Sequence, residues 1–241
     1  MRCFEMSDDI EQKTAEWYKE YYKKKDADRN DLLKNPEVLF QTLAFDRSII
    51  SSFASTNIEP ETAKVLDVGC GAGGGVINLI RLGFSPSNIY GIDILRDRIA
   101  EAKVRFPNIN WIYGDASCMK FENNFFECVM ESTIFLQMTD DELSGRIAKE
   151  MTRVTKRGGY IILIDWRYSH PFNKTYKGLS KKRIASLFSV GSKISIFRIY
   201  GGALVPPVGR FVSKNIPGIY FVIQSIFPFL VGQMATLLRK N

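Results

Sequence analysis

The chain has 241 residues, 45% of them hydrophobic and 24% charged, which describes a globular domain and excludes a disordered or collagen-like polymer. Its net charge of +7 is unevenly spread: residues 166–241 hold 12 Lys/Arg and no Asp/Glu. That basic part is expected to face something negative, such as a phosphorylated or nucleotide-linked small molecule, an anionic membrane surface or nucleic acid.

Residues 1–9 lack the apolar stretch of an export signal. A cytoplasmic location is therefore expected, with the inner face of the membrane as the second choice. The four cysteines, Cys3, Cys70, Cys118 and Cys128, have no paired spacing and are expected to be reduced. With His170 as the one histidine, no metal site is expected.

Residues 10–55 read as helical and as a lid over a ligand edge. The part over 36–53 would use Leu39, Leu43 and Ile50 as its apolar face. Val65-Leu66-Asp67-Val68 then reads as a buried strand. It runs into Gly69-Cys70-Gly71-Ala72-Gly73-Gly74-Gly75, followed by a helical pattern at Val76, Leu79 and Ile80. Such a strand, tight turn and helix brings backbone N–H groups against a nucleotide-type ligand.

Further strands are expected over 89–92, 109–113, 126–130 and 160–164, with a helix over 96–106 stopped by Pro107. Thr139 and Glu142 form a capping box. The helix behind it carries Leu143, Ile147, Met151 and Val154 on one face and ends at Gly158-Gly159. This alternation implies a mostly parallel sheet with helices on both faces. Beyond 165 a helix over 181–188, a strand over 194–200, an irregular Gly/Pro-rich insertion and a last strand over 234–238 follow. The whole reads as one domain of three parts: a lid over 1–60, a ligand-binding core over 61–165 and a basic substrate side over 166–241.

Gly69-Cys70-Gly71-Ala72-Gly73-Gly74 satisfies the dinucleotide pattern G-x-G-x-x-G, which alone would admit a nicotinamide enzyme. Three acids in register on the strand ends point elsewhere: Asp67 before the first glycine, Asp93 after Tyr90-Gly91-Ile92, and Asp115 in Tyr113-Gly114-Asp115-Ala116. Together these segments resemble the first three motifs of class I S-adenosylmethionine-dependent methyltransferases, over about residues 61–165.

The resemblance implies a Rossmann-like sheet of seven strands, S-adenosylmethionine as cofactor and S-adenosylhomocysteine as product. Gly69, Cys70, Gly71 and Gly73 would bring the loop against the methionine part. Asp67 would orient the loop or bind the amino group. Asp93 would accept from both ribose hydroxyls, and Ile94 would pack on adenine. Asp115 would hold the adenine amino group beside Ala116. Glu131 and Ser132 would lie beside the sulfonium. Carboxylates suit these positions because charge-assisted hydrogen bonds are the strong ones.

Outside the core, Asp28-Arg29-Asn30-Asp31-Leu32-Leu33 with Phe40-Gln41, and Pro206-Pro207-Val208-Gly209-Arg210-Phe211, resemble methyltransferases of capsule, lipopolysaccharide and other polysaccharide clusters. That implies O-methylation of a sugar, nucleotide-sugar or phosphorylated precursor, with Arg29 or Arg47 on the methionine carboxylate. Transfer to a hydroxyl calls for a general base worth about 10²–10⁴-fold. Its candidates are His170, Glu131, Asp165 and Tyr168. Arg167, Tyr168, Arg198 and Arg210 are the candidates for holding the acceptor.

Two rival readings are a nucleic-acid methyltransferase and a non-catalytic scaffold that only binds the cofactor. Base-methylating enzymes carry Asp/Asn-Pro-Pro-aromatic where this chain has Glu131-Ser132-Thr133-Ile134, which disfavours the first. The intact acids disfavour the second. From Ile216 to Leu238 no residue is charged, about the length that spans a bilayer. Its prolines, glycines and glutamines favour a buried helix and strand, with peripheral membrane contact through 201–241 second.

Overall fold

A computed structural model of the protein describes Glu16, Glu20, residues 31–191 and residues 193–241. Most of residues 10–30, and with them Arg29, lie outside the described residues. Among those described, seven strands form one sheet: β1 (Val65–Val68), β2 (Ile89–Asp93), β3 (Asn110–Tyr113), β4 (Phe126–Ser132), β5 (Thr155–Trp166), β6 (Ile194–Gly201) and β7 (Gln233–Lys240). Their order is β3-β2-β1-β4-β5-β7-β6. Each neighbouring pair from β3 to β5 is parallel, and β7 runs antiparallel to both β5 and β6. The order reverses between β1 and β4. A ligand crevice belongs there, outside the carboxyl ends of the strands.

The strands are buried on both faces, so they read as apolar runs, with successive side chains serving opposite layers. Val65, Ile162, Ile164 and Leu237 pack on one layer of helices: α1 (Leu39–Ala54), α2 (Val76–Arg81) and α3 (Arg96–Arg105). Leu66, Val68, Ile161, Leu163 and Leu238 pack on the other, where α4 (Ile134–Gln137), α5 (Asp141–Val154) and α6 (Lys181–Leu187) lie. A third, smaller cluster of Ala44, Leu204, Val212, Tyr220 and Val231 sits beneath α7 (Pro206–Asn215) and α8 (Tyr220–Ile226). Those two helices occupy the insertion that reads as irregular in the sequence.

Other local expectations change as well. Helix α1 buries Ala44, Ser48, Ile49, Ser52 and Phe53, while Leu39, Leu43 and Ile50 are exposed. Small serines whose hydroxyls donate to the Phe45 and Ser48 carbonyls let α1 lie closely on β6 and β7. This part of the expected lid is thus a layer of the fold. The N-cap of α5 is Asp140, whose carboxylate accepts from the Glu142 and Leu143 N–H groups. Thr139 lies one residue outside that cap. The helix ends at Val154, before the two glycines, and β5 begins at Thr155. Cys70 and Cys128 are free thiols, whereas Cys118 is disulfide-bonded, contrary to the expectation of reduced cysteines throughout.

Candidate active site

The turn after β1 is set by Gly69 and Gly73, at φ 65° and 82°, a region that side chains other than glycine rarely adopt. A Cβ on Gly69 would lie 2.6 Å from the Ile134 side chain, and one on Gly73 would lie 2.8 Å from Trp111. A Cβ on Gly71 or Gly74 would meet nothing. The loop is therefore supported from below and open above. The Cys70 side chain is buried in the core, so the loop offers backbone rather than a thiol.

Asp93, at the end of β2, ties this loop to the next one. Its Oδ2 accepts the Gly71 N–H at 2.8 Å, and its Oδ1 accepts the Leu95 N–H at 2.9 Å. It is not the cap of α3, whose N-cap is Leu95. Ile94 beside it is half-buried. Asp115, after β3, closes a turn in which Ser117 donates both its N–H and its hydroxyl to the carboxylate. Ala116 lies half-buried within that turn.

Asp67 is 4% exposed, and no described group donates a hydrogen bond to it. Burial, reinforced by the charge of Asp93, pushes its carboxyl up to about 7. Burial also raises Asp93. Glu131, at the end of β4, is fully buried. Its Oε2 accepts the Ile134 N–H at 2.9 Å, and its Oε1 has no partner. Burial first, then the negative fields of Asp165 and Asp67, hold its carboxyl well above the usual range. Asp165 accepts the Leu136 and Trp166 N–H groups and is also raised by burial, with Arg183 opposing. Burying a carboxylate without a partner is costly, which is why these groups are shifted toward their protonated forms.

Half-buried Ser132 is followed by Thr133 at φ 64° and ψ 20°, a left-handed conformation that is strained for a β-branched residue. Strain of this kind costs of order 1–3 kcal/mol and concentrates at functional sites. Arg183 secures the segment that follows, donating to the Phe135, Lys177 and Met138 carbonyls at 2.7 Å. Neither feature is legible in the sequence. Thr133 carries no glycine signal, and nothing in the run Lys181-Lys182-Arg183 sets Arg183 apart from its neighbours.

A cavity of about 220 Å³ opens at the same edge of the sheet, past the ends of β5 and β6. Its walls include Arg47 of α1, Arg167 after β5, Gln224 of α8, Pro228 and Met234. Arg47 donates to Gln224 and stacks on Phe221, while Arg167 donates to the Pro228 carbonyl and stacks on Tyr168. Neither guanidinium forms an ion pair among the described residues.

The other candidates lie apart from this cavity's walls. The Tyr168 hydroxyl donates to the Phe229 carbonyl. His170 is on an exposed loop, where its Nδ1 accepts the Phe172 N–H at 3.2 Å. Arg198 is exposed on β6, and Arg210 is half-buried on α7.

Residues 65–159 match the family model described as a methyltransferase domain. Over that match the chain is similar to methyltransferase domains, and its sheet has the class I methyltransferase fold. The match runs from β1 into β5 and contains Asp67, Asp93, Asp115 and Glu131. Two similar curated proteins are methyltransferases. The chain is 30% identical over 118 residues to phthiotriol/phenolphthiotriol dimycocerosates methyltransferase 1 of Mycobacterium ulcerans, covering 48% of this chain and 42% of that protein. It is 26% identical over 185 residues to the fatty-acid O-methyltransferase of Mycolicibacterium smegmatis, covering 75% and 60%. The chain thus spans less than two thirds of the length of these relatives. Geranyl diphosphate C-methyltransferase from Streptomyces coelicolor shares the fold of the methyltransferase domain, with a TM-score of 0.58 at 14% identity over 83% of this chain and 77% of that one.

Proposed function

We propose that the protein transfers a methyl group from S-adenosylmethionine to an acceptor that carries both a negative charge and an apolar part. The decisive observation is the unpartnered Asp67 carboxylate beside the open Gly71–Gly74 turn that Asp93 holds. The residues present fit the cofactor. Among the described residues nothing donates to Asp67 or to the buried Glu131 Oε1, which suits the first to an ammonium and the second to the positive field of a sulfonium. Asp93, with both oxygens already aligned by backbone N–H groups, is set to accept from ribose hydroxyls. Asp115 and Ile94 flank the place for adenine.

When bound, S-adenosylmethionine supplies a methyl group on a cationic sulfur. The chain's own residues hold, orient and exclude water, and such positioning supplies much of the barrier reduction in displacement chemistry. Thr133 and Ile134 set the floor of the crevice, and Arg183 and Asp165 fix the backbone behind it. On the acceptor side, Arg47 and Arg167 offer guanidinium donors free of carboxylates, a chemistry suited to carboxylate or phosphate.

The apolar part of the proposal draws on the relatives, one named for a fatty acid and another for a dimycocerosate lipid. A sugar or phosphorylated polysaccharide precursor is the second reading, favoured by the motif over residues 206–211. Either acceptor is compatible with O-methylation, for which His170 is the base candidate from the sequence, although it sits on an exposed loop outside the cavity's walls.

A screen with labelled methyl donor tests this, offering fatty acids, phosphorylated prenols and nucleotide sugars. Arg47→Ala and Arg167→Ala should each raise the acceptor KM about tenfold or more while leaving donor affinity unchanged, as expected for losing a charge-assisted bond. His170→Ala should lower turnover alone. Equal turnover of an uncharged acceptor would contradict the anionic reading, and unchanged turnover in His170→Ala would remove that residue from the mechanism.

A further inference from the structure

Helix α8 is apolar on its outer side as well as its inner one. Its buried side carries Tyr220 and the polar Gln224, whose amide donates to the Gly201 and Gly202 carbonyls. Its outer side, with the 3-10 turn Pro217–Ile219 before it, presents Ile219, Val222 and Ile226 at 44%, 51% and 62% exposure. These residues follow a helical i, i+3, i+7 spacing and form one stripe. Phe211 on α7 is 62% exposed, with Lys214 one turn later. Phe227 and Phe229 are exposed on either side of Pro228 and pack edge-on at 5.9 Å. Isolated exposed apolar residues need no explanation, but a clustered set within 19 residues of chain marks an interaction surface.

The charges around it say what it meets. No acid occurs anywhere in residues 166–241. Lys214 and Arg210 lie on α7, and Arg167 is tied to the Pro228 carbonyl between the two phenylalanines. Among the described residues, the 3-10 turn Pro36–Val38, which carries Glu37, packs on α7. An apolar face with the exposed Lys214 one turn from Phe211, and with Tyr168 and Arg167 at its edge, has the layout of a segment lying in a membrane interface. No helix among the described residues is long and apolar enough to cross a bilayer.

We infer that the α7–α8 segment docks the protein onto an anionic lipid surface. Ile219, Val222, Ile226, Phe227 and Phe229 enter the boundary between headgroups and acyl chains, and Lys214 meets the headgroups. In this orientation Pro228, which lines the Arg47–Arg167 cavity, lies at the membrane level, and an acceptor with an apolar chain reaches the cavity without crossing water.

The test is sedimentation of the full chain with phosphatidylcholine vesicles that contain phosphatidylserine, compared with phosphatidylcholine alone, without methyl donor or acceptor. The protein should pellet with the anionic vesicles, and added salt should weaken the association. Val222→Ser with Ile226→Ser, and separately Phe227→Ser with Phe229→Ser, should each reduce partitioning about tenfold or more, because apolar insertion supplies the holding energy. Calorimetry with S-adenosylmethionine should show unchanged donor affinity in both double variants, which separates lost docking from lost folding. Equal sedimentation of wild type and variants would overturn the inference. So would absence from the pellet combined with a concentration-dependent dimer that the same substitutions break, since the face would then belong to a second copy of the chain.

Discussion

At the scale of single residues, the site is a set of carboxylates whose surroundings make them incomplete. Asp93 has both oxygens engaged by backbone N–H groups, whereas Asp67 has no donor among the described residues and a carboxyl raised to about 7 by burial and by Asp93. A cationic donor group must meet the ionised form of Asp67, so binding is coupled to loss of a proton at lower pH. Affinity for S-adenosylmethionine should therefore weaken below pH 7, approaching tenfold per pH unit. Asp67→Asn should bind more weakly and lose that dependence, as read by calorimetry at several pH values. The three strand-end acids are legible in the sequence because each follows an apolar run and stands within two residues of a glycine. The backbone strain at Thr133 is not, because long-range bonds impose it, such as its own N–H to the Ile164 carbonyl.

At the scale of elements, β1 to β5 and α5 are legible because both faces of a parallel sheet must be apolar and an amphipathic helix repeats every 3.6 residues. Element ends are less so. Thr139-Asp140-Asp141-Glu142 contains adjacent cap candidates, and Asp140 takes the role by accepting the Glu142 and Leu143 N–H groups. Asp140→Ala should cost about 1 kcal/mol of stability in denaturant unfolding, and Thr139→Ala much less. The apolar face of α1 misleads because the closest packing against β6 and β7 uses serines. The α7–α8 insertion misleads because short helices rich in Ile, Phe and Pro carry little helical signal, and their stability comes from packing on Tyr220 and Leu204.

At the scale of the whole molecule, the buried acids make stability depend on pH. Burial raises Asp67, Glu131 and Asp165 above the range of about 4 that they have in the unfolded chain. Between about pH 4 and pH 7 the folded state then holds more protons than the unfolded one, so these groups make stability fall as pH rises. Ion-paired Asp141 and Glu127, whose carboxyls are lowered, act in the opposite sense and only at lower pH. The Tm of the cofactor-free protein should accordingly decrease from about pH 5 to pH 8, and Asp67→Asn should flatten that slope. A Tm that rises over this interval in both proteins would exclude the buried acids as its cause. Added S-adenosylmethionine should raise Tm most at the alkaline end, where the carboxylates are ionised and a cation compensates them.

The central claim, that the Asp67–Asp93 crevice holds S-adenosylmethionine, is tested most directly by isothermal calorimetry with the wild type and Asp93→Ala. One molecule of S-adenosylmethionine should bind per wild-type chain, and affinity should fall roughly tenfold or more in Asp93→Ala, which loses the charged acceptor for the ribose hydroxyls. Absence of binding to the folded wild-type protein, or equal affinity in the two, would contradict it.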